Sequence, residues 1–123
     1  MDSSRPARLA AAGLSAIVAR FAGRVHLNLG VTAGGASLAA STALTGDYNA
    51  SSSGSSGVKL PLWETGSALL YYNGSGGNNS VYPDTSTVTI NAGSAGAAVT
   101  VANATLYLFI RTTATNWNAH QLT

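Results

Sequence analysis

The chain has 123 residues, enough for one domain with a modest core, and no cysteine, which excludes both a disulfide framework and a thiolate metal site. Charged residues make up 8% of it, against about 25% in an ordinary soluble domain, and Ala, Ser, Gly, Thr and Asn stand in their place. So little charge gives a free monomer poor colloidal protection, which predicts a subunit largely covered by neighbours; the alternative is an extracellular domain solubilised by Ser, Thr and Asn.

The net charge of +2 is unevenly distributed. Arg5, Arg8, Arg20 and Arg24 all precede Val25 and are opposed there only by Asp2. Beyond that point Lys59 and Arg111 face Asp47, Glu64 and Asp84, so basic character belongs to an N-terminal segment and not to the body.

Residues 4–22, SRPARLAAAGLSAIVARFA, carry the one helical pattern. Ser4 suits an N-cap, Pro6 is tolerated in a first turn, alanines favour the helix, and Gly23 stands where a helix stops. Leu14, Ile17, Val18 and Phe21 share one stripe, with Arg5, Arg8 and Arg20 on the opposite side. A secretory signal would show early positive charge followed by an apolar run, but Gly13 and Ser15 break the run and Arg20 follows closely. A membrane-surface helix would carry more Lys and Trp, and a helix packed on its own domain is the plainer alternative. The reading adopted is a docking arm, residues 1–24, that sets its stripe on a partner and places Arg5, Arg8 and Arg20 beside it.

From Val25 onward, short β-favouring runs alternate with Gly, Ser and Asn clusters. Candidate strands are 24–31, 57–63, 67–73, 86–91, 97–103 and 104–112. In 86–91 the alternation predicts Val88 and Ile90 inside with Thr87 and Thr89 outside. The runs ALLYY (68–72) and LYLFI (106–110) are apolar on both faces, which places each either in the middle of a sandwich or against another subunit. Leu108 is assigned to the core, and Tyr107 and Phe109 to the oligomer interface. The segment NASSSGSSG (49–57) reads as a flexible linker-type loop, and NAGSAGAA (91–98) as a tight connection. No exact internal repeat is visible, and no apolar run is long enough to span a membrane. The expected fold is mainly β: a compact antiparallel sandwich or barrel-like body, residues 25–123, preceded by one amphipathic helix.

The glycine-rich stretch YYNGSGGNNSVYP (71–83) invites comparison with a phosphate cradle. Such a cradle needs a helix after the glycines and a basic residue nearby. Here Pro83 keeps the following chain extended, and no Lys or Arg lies between Lys59 and Arg111. Asn-Gly and Gly-Gly pairs favour a hairpin tip. His26 and His120 sit near opposite ends of the body, and Asp47, Glu64 and Asp84 have no ligand-like or glycosidase-like arrangement, so each reads as a surface or turn residue. The expectation is no enzyme, no metal and no cofactor. Asn-x-Ser/Thr sequons at Asn49, Asn73, Asn78 and Asn103 are chance products of composition.

The pieces Val81-Tyr82-Pro83, Thr89-Ile90-Asn91, the small-residue turn before Val99-Thr100-Val101, and Thr115-Asn116-Trp117 form a recognisable order. Residues 81–118 resemble a recurrent segment of small structural proteins in tailed bacteriophages, such as head-decoration, head-fibre and tail-fibre modules; residues 44–61 fit more loosely. The resemblance implies a virion structural protein assembled in the host cytoplasm, with a capsid decoration or head-fibre role first. The expected partners are other virion proteins, above all the major capsid protein, and further copies of the chain, with a trimer favoured; neither nucleic acid nor membrane is expected. An alternative is a tail-fibre or receptor-binding module, with Tyr71, Tyr72, Tyr82 and Trp117 stacking on host glycans unless they pack the core. A further alternative is a secreted bacterial adhesin-like domain.

Overall fold

A computed structural model describes residues 26–54 and 56–123. The expected helix lies outside them, and so do Leu14, Ile17, Val18, Phe21, Arg5, Arg8 and Arg20. Within them the protein is mainly β, built from β1 (Leu27–Ala33), β2 (Thr42–Ala43), β3 (Tyr48–Gly54), β4 (Gly57–Lys59), β5 (Ala68–Asn73), β6 (Asn79–Tyr82), β7 (Thr89–Ile90), β8 (Val99–Val101), β9 (Thr105–Thr113) and β10 (Asn116–Gln121). They form a six-stranded sheet, ordered β1-β3-β5-β9-β10-β7, and a four-stranded sheet, ordered β2-β4-β6-β8.

The expectation of an antiparallel body is corrected. From β1 to β8 each strand lies in the opposite sheet from the one before it, so the chain crosses between layers instead of turning back in a hairpin. Successive visits to one sheet therefore run the same way: β1, β3 and β5 pair in parallel, and so do β2, β4 and β6. The register steps from Leu27 to Tyr48 to Leu70, roughly one coil per 22 residues, the length at which repeat architectures stack. The coil repeats in backbone register and not in residue identity, which is why the sequence shows no exact repeat. Among the described residues, antiparallel ladders form where β5 meets β9, β9 meets β10, and β6 meets β8, with one isolated antiparallel bridge between Gly34 and Gly57.

The inner faces of the two sheets bury one core. Val31, Leu69, Tyr71, Ile90, Phe109 and Trp117 come from the larger sheet, and Val58, Val81 and Val101 from the smaller. Leu44, Leu60 and Val88 fill the ends from connecting segments. Val88 and Ile90 are buried and Thr87 exposed, as the alternation predicted. The layers approach closely at Gly57, where a Cβ would meet the Gly35 carbonyl oxygen at 2.5 Å, so glycine is required there.

Residues 49–57, expected as a linker, supply β3, which has a parallel neighbour on each side. Backbone pairing does not depend on side-chain bulk. Here Ser51 is small enough to sit 2% exposed between Val31 and Asn73. A linker would tolerate proline at Ala50, but a doubly paired strand would not, because a ladder donor is lost and a buried carbonyl left without its partner. Ala50→Pro is therefore expected to lower stability by at least about 1–3 kcal/mol, read as a shift of the urea midpoint by circular dichroism.

Candidate functional site

The glycine-rich stretch is not a hairpin tip, because β5 and β6 belong to different sheets and do not pair. Residues 74–78 form an arch between layers. Asn73 holds it from inside: its Oδ1 accepts from the Ser75 amide at 3.0 Å and the Ser75 hydroxyl at 2.7 Å. Its Nδ2 donates to the carbonyls of Gly77 and Val101 at 2.8 and 2.9 Å. Gly76 adopts φ +94°, which an L side chain would strain, and its amide donates to Asn103 Oδ1 at 2.9 Å. Every polar group of Asn73 is thereby engaged in shaping the loop, so no open phosphate cradle is formed by it.

Behind the arch lies a buried polar cluster. The Tyr71 hydroxyl donates to Asn79 Oδ1 at 2.6 Å and lies 3.0 Å from Ser51 Oγ. Ser51 Oγ in turn lies 3.3 Å from Asn73 Oδ1. Tyr71, Asn73 and Asn79 are at most 1% exposed. Burial disfavours the phenolate and pushes the Tyr71 pKa above its ordinary 10.0, while the Ser51 hydrogen bond acts in the opposite sense. One coil below, Asn49 closes the Gly46 turn, accepting from its amide at 2.9 Å and donating to its carbonyl at 2.7 Å.

The second buried constellation joins Asp84, Arg111 and Trp117. Asp84 Oδ1 accepts from Arg111 Nη1 at 3.0 Å and from Trp117 Nε1 at 2.9 Å. The two charged side chains are 5% and 1% exposed. Arg111 also donates to the carbonyls of Thr113 and Ala114, and its guanidinium lies 5.7 Å from the Trp117 ring centre. Asp84 Oδ2 is buried without a hydrogen-bond partner among the described residues. Asp84 is therefore an interior ion-pair member and not the exposed turn residue that Pro83-Asp84 suggested. No pattern in sequence links Asp84 to residues 27 and 33 positions further on; only the crossing of β10 beside β7 brings them together.

The remaining expected residues are dispersed. His26 and His120 are exposed, Glu64 is exposed in a loop, and Asp47 accepts from the His26 amide at 3.1 Å. Among the described residues no group of three or more His, Cys, Asp or Glu is placed to hold a metal ion. Tyr71 and Trp117, named for glycan stacking, are both fully buried, while Tyr72 and Tyr82 are half-buried. Phe109, assigned to an oligomer interface, is also fully buried, and Tyr107 packs against the core with its ring centre 5.9 Å from that of Phe109. The assignment of faces in β9 is therefore reversed by one residue: Phe109 and Arg111 point in, and Leu106, Leu108 and Ile110 point out. A run apolar at every position carries no period-2 signal to fix its facing.

The outward side of β1, β3, β5 and β9 is lined by apolar residues, of which Leu27 is exposed, Tyr48, Tyr72, Leu106, Leu108 and Ile110 are half-buried, and Leu70 is buried. Leu27, Tyr48, Leu70 and Leu108 form one cross-strand row. Ala50, Tyr72 and Leu106 form a second, and Ala68 beside Ile110 a third. Its strands place no Asp, Glu, Lys or Arg outward, and His120 stands at the end of the first row. The smaller sheet presents Lys59, Ser80 and Thr100 on its outward side, with Ala43 and Tyr82 in the row of Lys59.

Comparison of the chain with protein-family models, with curated proteins and with solved structures returns no match.

Two measurements probe the buried groups. Arg111→Met leaves a buried carboxylate without its cation and is expected to cost about 3–5 kcal/mol in urea unfolding, with part of the loss restored in Arg111→Met, Asp84→Leu. Tyr71, whose pKa is raised on folding, contributes stability that is complete below the unfolded value of 10.0 and declines above it as the unfolded chain ionises first. The melting temperature should accordingly fall above about pH 10. Tyr71→Phe, with no proton to lose, should show a shallower fall, and an unchanged slope would remove Tyr71 as its source.

Proposed function

We propose that the chain is a non-enzymatic structural subunit of a tailed-bacteriophage virion, a capsid decoration or head-fibre protein that works as a homo-oligomer. The observation that carries this reading is the scarcity of charge, 8% of the chain, together with a larger sheet whose strands place no Asp, Glu, Lys or Arg on their outward side. A surface with so little charge to keep it apart from its neighbours suits a subunit that works in contact with others. The resemblance of residues 81–118 to phage structural segments supplies the class of particle. The burial of Tyr71 and Trp117 weighs against the receptor-binding alternative, because two of its four stacking residues have no surface to offer.

Within this reading residues 1–24 attach the subunit to the shell, with the major capsid protein as the partner. Burying Leu14, Ile17, Val18 and Phe21 would supply roughly 1.5–3 kcal/mol for each side chain fully covered. Arg5, Arg8 and Arg20 would add a smaller contribution that salt weakens. Deleting residues 1–24 is therefore expected to leave a folded β body that no longer co-sediments with bare particles. Normal co-sedimentation of the truncated chain would remove the arm as anchor, and loss of its circular dichroism signal would assign the arm to the domain's own core.

A further inference from the structure

We infer that Asn73–Gly74 is a hydrolytic modification site that the fold keeps shut: Asn73 deamidates while the chain is unfolded, and the product no longer forms this fold. Asn73–Gly74 is the one Asn-Gly pair in the chain. In such a pair the glycine nitrogen attacks the asparagine side-chain carbonyl carbon, and glycine has no Cβ to hinder it. A bond forms between Gly74 N and Asn73 Cγ, the Cγ–Nδ2 bond breaks, and ammonia leaves carrying the Gly74 amide proton. Water then opens the five-membered imide at either carbonyl. The residue becomes aspartate, or isoaspartate where the main chain is left running through Cγ.

The folded protein withholds the nucleophile and holds the leaving group. The Gly74 amide donates to the Ser51 carbonyl at 3.0 Å, so its proton is engaged and its peptide fixed. Asn73 Nδ2 is anchored on the Gly77 and Val101 carbonyls at 2.8 and 2.9 Å, and the residue is 0% exposed, which keeps base and water away. The Ser75 amide and hydroxyl act the other way: both donate to Asn73 Oδ1, at 3.0 and 2.7 Å, and polarise its carbonyl toward attack. Polarisation without a free nucleophile yields no imide. Release of Gly74 from Ser51 is therefore the opening that exposes the site.

The hazard is tied to the architecture, because the fold needs both residues. At Gly74 a Cβ would stand 2.8 Å from the Ser51 carbonyl oxygen, so the neighbouring β3 requires glycine there. At Asn73 the arch needs a side chain that accepts on one atom and donates on the other. Aspartate would set an oxygen against the Gly77 and Val101 carbonyls where Nδ2 now donates, leaving a buried charge that faces two acceptors. Isoaspartate would lengthen the main chain at Asn73, which pairs with Thr105 and whose carbonyl accepts from the Ala104 amide at 2.7 Å. Deamidation thus sets a lifetime on the unfolded chain: a molecule that folds keeps Asn73, and one that waits is lost to the fold.

The test incubates the full-length chain in mildly alkaline buffer with and without urea. Mass spectrometry of the tryptic peptide Leu60–Arg111 then reads the conversion of amide to acid and the isoaspartate content. Modification should map to Asn73 and run at least about tenfold faster in urea. After dilution from urea, the fraction that fails to regain the native circular dichroism spectrum should match the modified fraction. Equal rates with and without urea, or modification concentrated at another asparagine, overturns the protected site. Asn73→Asp tests the consequence separately, and it should lower the urea midpoint or prevent folding. A wild-type midpoint for Asn73→Asp, or modified chains that refold fully, overturns the lifetime.

Discussion

Because each strand from β1 to β8 lies in the opposite sheet from its predecessor, none of them can satisfy its backbone on its neighbour in sequence. Each must wait for the chain to complete a coil and return. This produces parallel ladders without helices, and it also places the crossing segments at the ends of the core, where their amides and carbonyls need partners that no ladder supplies. Asn49 and Asn73 are those partners. One closes the turn at Gly46 and bonds the Leu70 carbonyl; the other closes the arch at Ser75–Gly77 and bonds Val101. Polar residues in this core follow from the crossings, and Tyr71, Ser51 and Asn79 complete the same network.

The coils close at the C-terminal end, where the residues that carry the phage resemblance converge. Trp117 is in register with Ile90, and its carbonyl accepts from the Asn91 amide at 2.8 Å. Asn116 Oδ1 accepts from Thr89 Oγ1 at 2.7 Å and from the Ala92 amide at 2.9 Å, and Asn91 Oδ1 accepts from the Ala119 amide at 2.8 Å. Asn91 and Ala92 adopt φ of 54° and 55°, a left-handed corner that these bonds hold in place. Pro83 leads directly into Asp84, which Arg111 and Trp117 grip from the hairpin β9–β10. The motif pieces thus act as a lock on the fold. Their information concerns how the module is stabilised.

This division explains what could be read from the sequence. β5 and β9 were legible because dense apolar runs with β-favouring residues have few other fates, and Val88 with Ile90 because alternation fixes their side. β3 was hidden because its pattern is inverted. Tyr48 and Ala50 point outward while Asn49 and Ser51 are buried, so a hydrophobic-inside rule scores it as a loop. β10, with the sequence NWNAHQ, contributes one large apolar residue and is held by pairing with β9 on one side and β7 on the other. β6 was concealed behind the glycines of the arch. The ion pair of Asp84 and Arg111 was illegible for a different reason: it depends on which strands become neighbours, and local sequence does not encode that.

The energetics of the outward face also constrain how it can be used. Covering one large apolar side chain contributes roughly 1.5–3 kcal/mol, whereas bringing two bodies together costs an estimated 4–15 kcal/mol in lost freedom. Leu108 alone cannot hold a complex, and neither can Leu27, which sits half-exposed at the far end of its row. Leu70 at the centre of that row is already buried, and Tyr48, Tyr72, Leu106, Leu108 and Ile110 are half-buried, so each has only part of its area left to contribute to any contact.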